Sequence, residues 1–460
     1  MTVKRGLEEN RWIRYCGFVG KNKACKTMHN WFVKIGWIIA AITIFAGCFV
    51  SVWPDWFKNN RIISIIIFAL LGICPPSLRW LEDRNKFRKG WKILSAYSSQ
   101  ITSKACREIT GIANSIKLPE VGEVINCLRQ KRRVVVTGDA GVGKTGIVVE
   151  ISKIFKLAYF IFIDARYICN CKSLQDVSEM IGLTEYSLFD TIRAKARTPK
   201  KPVVVVIDQC DSIRRIHGQY DIIMKLLKRF ADIDNIGIIV ICRTEESKGL
   251  KEHIKGKSEI DVGEVHVKQL DKELAQEQLR QLGFVDAIDE LIEMSRNLFM
   301  LSLIADLVGK PGDADLRNVT NILDFWEKYR GSLEAEILNN NDNKYRVTAC
   351  AAKYAKQCLI DDRGTCELPP IRGEEENVLT SRKVLIQDPI FTQRYRFRHE
   401  KMRDYMYSHE AVYGRRMGLE AIEEELDEQA GLVAPVMAEL YLKADDKKAA
   451  ELILKAISNE

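Results

Sequence analysis

Two stretches near the start of the chain run without a charged position, about 19 residues from Ile35 to Trp53 and about 17 from Ile62 to Leu78. Each approaches the length a helix needs to cross hydrocarbon. Water-soluble helices keep a polar stripe, so the pattern predicts a two-helix transmembrane hairpin over 31–80, joined through Pro54 to Arg61. Trp53, Trp56, Phe57 and Trp80 stand where interfacial aromatic side chains gather. Pro75-Pro76 shortens the second span, and a buried hairpin of a soluble domain is the alternative. A cleaved signal peptide does not fit, because the apolar run starts too far from Met1 and is too long.

Past Arg79 the pattern becomes charged and helical, a linker over 81–115 that ends near Leu118-Pro119-Glu120. Four short apolar runs follow: Val134 to Val136, Tyr159 to Ile163, Val203 to Ile207 and Ile236 to Cys242. Helix-period segments such as Ile147, Val148, Ile151, Ile154 and Phe155 separate them. Continuous apolar strands alternating with helices predict an α/β domain over 116–260, a parallel sheet with helices on both faces. From Asp271 the pattern is helical, giving a helical domain over 261–335. A strand-rich stretch from about Val384 precedes another helix in a mixed region over 336–413, and a helical tail covers 414–460.

Charge sharpens the membrane reading. The 70 Lys+Arg against 62 Asp+Glu leave a net charge of +8. The excess gathers between Lys4 and Lys34, in a basic segment over 1–30, and from Arg79 to Lys92, on either side of the apolar pair. The positive-inside rule then predicts a two-pass protein of the inner membrane with both termini cytoplasmic. Nucleic acid is not expected as a partner, since Arg79 to Lys92 adjoins the bilayer and Lys200-Lys201 falls in a predicted loop. The 13 cysteines are scattered, with only Cys169 and Cys171 close together, so neither a zinc site nor a disulfide framework emerges and a reducing compartment is expected.

Gly138-Asp139-Ala140-Gly141-Val142-Gly143-Lys144-Thr145 matches the Walker A pattern and lies between a predicted strand and helix. Its glycines let backbone N–H groups wrap phosphate, and the helix that runs on through Gly146 points its positive end at the anion. Lys144 can reach the β and γ phosphates of ATP, and Thr145 can offer its hydroxyl to Mg2+. Val203 to Asp208 supplies a buried strand ending in a carboxylate for the same Mg2+. Asp211, three residues on, suits a general base or water-positioning group. Arg243, at the end of a further strand, is a cation that could face the γ phosphate. Lys144, Asp208, Asp211 and Arg243 are the catalytic candidates.

Walker A, Ile207-Asp208-Gln209-Cys210-Asp211 and Cys242-Arg243-Thr244 together resemble the nucleotide-binding core of STAND P-loop ATPases, with spacing like the NACHT branch. Val267-Lys268-Gln269-Leu270-Asp271-Lys272-Glu273 resembles the entry to the family's helical domain. Tyr395-Arg396-Phe397-Arg398-His399-Glu400 through Asp404-Tyr405 resembles its winged-helix motif. The resemblance covers about 116–413. It implies a P-loop NTPase followed by helical and winged-helix domains, with His399 touching the diphosphate of bound ADP. Two positions depart from it. Arg296-Asn297-Leu298-Phe299 stands where the family usually packs a proline on adenine, and Ser212 stands where acidic residues often follow Asp211. The family's long repeat-built sensor does not fit into the roughly 45 residues after Val412.

The resemblance implies a switch that exchanges ADP for ATP, forms a homo-oligomer when activated by a trigger such as a phage protein or separate sensor, and acts on the lipid bilayer through the hairpin. Anti-phage defence is the expected setting. A constitutive AAA+ or KAP-like remodelling ATPase and a non-hydrolysing nucleotide-gated scaffold are the alternatives.

Overall fold

A computed structural model describes residues 87–103, 116, 118–155, 158–168, 171–197, 201–210, 220–244, 247–255, 262–308, 316–337, 346–361 and 364–458. The predicted hairpin over 31–80, the basic segment before it and Asp211 lie outside the described residues. Among the described residues no helix is long and apolar enough to cross a membrane.

Five strands form one sheet: β1 (Arg133–Thr137), β2 (Tyr159–Asp164), β3 (Val203–Asp208), β4 (Ile236–Ile241) and β5 (Gly263–His266). Their order is β2-β3-β4-β1-β5, and every pairing is parallel. Helices α1 (Glu120–Lys131), α2 (Lys144–Ile154), α3 (Ala165–Ile168), α4 (Leu174–Met180), α5 (Leu188–Ala196), α6 (Tyr220–Ala231) and α7 (Ser247–Lys255) accompany them. Alternation along each strand feeds two cores. Val135, Ile161, Ile163, Val205 and Val240 face one that holds α4 to α7, while Val134, Val136, Phe162, Val206 and Ile239 face another built with α1 and α2. Burial on both faces is why these strands read as unbroken apolar runs.

The helix over 87–103 packs Leu94 and Tyr97 into the first of these cores. Its Ser98 hydroxyl accepts from Phe162 N at 3.0 Å and donates to Phe160 O at 3.3 Å. It thereby satisfies backbone groups on the outer side of β2, an edge strand.

The rest of the chain is a C-terminal module. It comprises α8 (Lys272–Gln281), α9 (Asp289–Ser295), α10 (Leu298–Leu307), α11 (Ile322–Ala335), α12 (Arg346–Ile360), α13 (Glu374–Ser381), α14 (Glu400–His409), α15 (Leu419–Leu426), α16 (Ala430–Lys443) and α17 (Lys447–Ser458). A small sheet of β6 (Cys366–Glu367), β7 (Leu385–Gln387) and β8 (Arg394–Phe397), ordered β6-β8-β7, lies beside α14. One apolar core runs through all of it, from Leu270 to Ile453. The boundary at 260 moves, because β5 pairs with β1 and belongs to the ATPase sheet, so the helical region starts at Lys272.

Candidate functional site

Strand β1 ends at Thr137 and α2 begins at Lys144, leaving six residues to turn the chain. Gly138 and Gly141 take φ of 144° and 86°, a region that strains any residue with a Cβ. A Cβ on Gly138 would lie 2.5 Å from the carbonyl oxygen of Val267, the residue after β5, so this close approach also demands glycine there. Val142 is buried beneath the loop. Gly143 caps α2 without a side chain, which leaves the first-turn N–H groups and the positive helix end for an anion.

Lys144 folds back over this loop, its Nζ donating to Gly138 O at 2.6 Å and Asp139 O at 2.7 Å. Thr145 Oγ1 donates to Asp208 Oδ2 at 2.8 Å, although β4 separates their strands. Two hard oxygen donors in contact at a loop that can bind phosphate suit Mg2+. Asp208 Oδ1 also accepts from Gln209 N at 2.8 Å, with Gln209 held at φ 60°. Burial pushes the Asp208 carboxyl up to about 6, and Asp164 adds to this, while the Thr145 hydroxyl, Arg166 and Gln209 N pull it down. A divalent cation on Asp208 would favour the ionised form further.

Asp164 and Arg166 were missed from the sequence. Asp164 ends β2 in register with Asp208 on β3, and both are buried. The Arg166 guanidinium grips it, Nε donating to Asp164 Oδ1 at 2.9 Å and Nη2 to Oδ2. The signal was available: an acid closing an apolar strand is the same pattern that singled out Asp208.

The C-terminal module sits on this loop. Asn297 caps α10, accepting from Phe299 N at 3.1 Å, and its Nδ2 donates to Ala140 O at 2.9 Å. Phe299 N donates to Gly141 O at 3.0 Å. A Cβ on Gly141 would come within 2.5 Å of Asn297 Oδ1. The segment that departs from the family's proline therefore docks on the Walker A loop itself.

His399 stacks on Phe299 with ring centroids 3.9 Å apart and planes inclined by 18°. It is the N-cap of α14, accepting at Nδ1 from Lys401 N at 3.1 Å, rather than a residue within a helix. Burial lowers its pKa to about 4, with Lys401, Arg243 and Arg403 adding to the effect and Glu400 opposing it. Arg243 stands two residues past the end of β4, and its Nη2 pairs with the Glu400 carboxylate of α14.

These elements define a P-loop NTPase fold. Residues 134–264 match the family model described as ATPase family associated with various cellular activities (AAA). The chain carries an AAA-type P-loop ATPase domain. No curated protein sequence matches it. Among solved structures it is similar to a Walker-type ATPase of Pyrococcus abyssi, at 14% identity and TM-score 0.32, over 62% of this chain and 94% of the other. Cdc6p from Pyrobaculum aerophilum matches at 11% identity and TM-score 0.27, over 64% and 95%. A STAND protein with a tetratricopeptide repeat sensor from Pyrococcus horikoshii matches at 13% identity and TM-score 0.33, over 74% and 58%.

Proposed function

We propose that this chain is a membrane-anchored switch of the STAND, NACHT-like type, closed on ADP and opened on ATP. One observation carries the reading: the C-terminal module rests on the Walker A loop through Asn297 and Phe299 and engages Arg243 through Glu400. A constitutive motor has no evident use for a module that ties up both the loop and a cation of the site.

In the resting form His399 touches the diphosphate of ADP from its seat on Phe299. A trigger loosens the module and ATP enters. Lys144, which leaves the carbonyls of its loop for the β phosphate when ADP binds, then reaches the γ phosphate as well, while backbone N–H groups from Gly138 to Gly146 cradle the phosphates. Thr145 and Asp208 would hold Mg2+, which would neutralise part of the phosphate charge. Arg243, released from Glu400, turns to the γ phosphate, and Asp211 positions the attacking water. The opened protein forms a homo-oligomer. The N-terminal hairpin, in the inner membrane with both termini cytoplasmic, then acts on the bilayer, in anti-phage defence by abortive infection. The support for the hairpin is the charge-free length of 35–53 and 62–78 and their basic flanks.

The test is the nucleotide that co-purifies with the full-length protein. ADP retained by the wild type and lost with Lys144→Ala supports the switch. Absence of nucleotide from both would count heavily against it. The AAA match favours a second reading, a constitutive membrane-bound remodelling ATPase. Steady turnover without any trigger would select that one.

A further inference from the structure

We propose that the turn from Asp164 to Tyr167 positions the candidate metal-binding carboxylate of Asp208, and that Asp388 of the C-terminal module sets this turn. The inference rests on the switch reading and adds a second route by which the module reaches the nucleotide site, away from His399 and Arg243.

Parallel pairing of β2 with β3 puts Asp164 level with Asp208 at the strand ends. Both carboxylates are buried, and Arg166, held by both oxygens of Asp164, is near enough to Asp208 for its charge to act there as well. Its charge therefore offsets two anions at once. The lean of Arg166 toward or away from Asp208 changes the field in which that carboxylate would meet Mg2+.

Arg166 belongs to α3, a single helical turn, and the next residue is Tyr167. The Tyr167 hydroxyl donates to Asp388 Oδ2 at 2.6 Å, with both residues 2% exposed. Asp388 lies in the loop between β7 and β8. Its Oδ1 accepts from Ile390 N at 2.9 Å and Phe391 N at 2.8 Å, which fixes the carboxylate in place. The Phe391 ring meets Tyr167 edge-on, with centroids 5.9 Å apart. One four-residue turn thus carries the Asp208 neighbours on one side chain and the module's anchor on the next. Withdrawal of the β7–β8 loop would remove the acceptor that orients Tyr167, and Arg166 with it.

Tyr167→Phe deletes one hydroxyl and keeps the ring. It leaves the buried Asp388 Oδ2 short of a donor. Asp388→Asn keeps an oxygen for Ile390 N and Phe391 N and puts an amide NH2 where Oδ2 stood, so the Tyr167 hydroxyl can stay paired only by accepting, and the charge is lost. Full-length protein loaded with a fluorescent ADP analogue gives two readouts, the release rate and the Mg2+ concentration for half-maximal retention. A purely structural tie would move only the first. We expect Tyr167→Phe to raise both by about fivefold, and Asp388→Asn to raise both by less. Faster release with an unchanged Mg2+ requirement overturns the positioning role. If Glu400→Gln speeds release while Tyr167→Phe changes neither readout, this inference fails and the switch stands. If neither variant changes release, the switch itself fails. Should Tyr167→Phe not fold, the same two readouts on Asp388→Asn decide.

Discussion

Protonation of His399 should loosen the closed form when no nucleotide is bound. Packed on Phe299, the imidazole has a pKa of about 4, against 6.5 for a solvated ring. Between these values an opened molecule binds a proton that the closed one does not. Closure is therefore fully supported above pH 6.5 and weakens as pH falls toward 4. The whole interval corresponds to an upper limit of about 3 kcal/mol, and the part reached by pH 5 to about 2 kcal/mol. The ring is only half-buried, so screening by water reduces this to about 1 kcal/mol, roughly fivefold in the balance between the opened and closed nucleotide-free forms. Asp208 titrates with the opposite sign, its raised pKa making a contribution that is lost as pH rises toward about 6. His399→Asn isolates the histidine, because asparagine still caps α14 but does not titrate. In nucleotide-free protein a fluorescent reporter of module opening, placed on α17, should shift between pH 7.5 and 5 more in the wild type than in the variant, whereas a diphosphate against the ring would raise its pKa and oppose the change. Parallel pH profiles for the two proteins would refute the assignment.

Three further outcomes are expected. Asn297→Ala removes the cap of α10 and the bond to Ala140 O, so it should cost about 1–2 kcal/mol and lower Tm by a few degrees in a thermal melt. Gly141→Ala places a Cβ against Asn297 Oδ1 at a left-handed φ, and should weaken ADP binding at least about tenfold by calorimetry while separating the module from the loop. Asp208→Asn keeps an acceptor for Thr145 but loses the charge; ATP affinity without Mg2+ should change little, whereas its enhancement by Mg2+ should fall by about 100-fold.

The strands around the site were legible because burial on both faces leaves no polar alternation in Val203 to Ile207 or Ile236 to Ile241. The Walker A loop was legible because its glycines and Lys144 answer to local geometry. Strand β5 escaped, being a four-residue edge strand in which buried Gly263 and Val265 alternate with exposed Glu264 and His266. Contacts between distant segments could not be read at all. Nothing in the residues near Arg243 announces Glu400, 157 positions on, and Phe299 gives no local sign of His399. Asp164 stands apart from these: it closes an apolar strand as Asp208 does, and the register between the two strands then brings it to the site.

The two halves of the molecule change hands over a few residues. Val267 belongs to the core under the Walker A loop, and Leu270 to the one that reaches Ile453. Lys268-Gln269 is thus the covalent link across which the two cores would part if the ties at Ala140, Gly141, Tyr167 and Arg243 were released. A reporter placed on α17 would register the nucleotide state without touching the site, and a trigger pulling anywhere along the module would have the same effect.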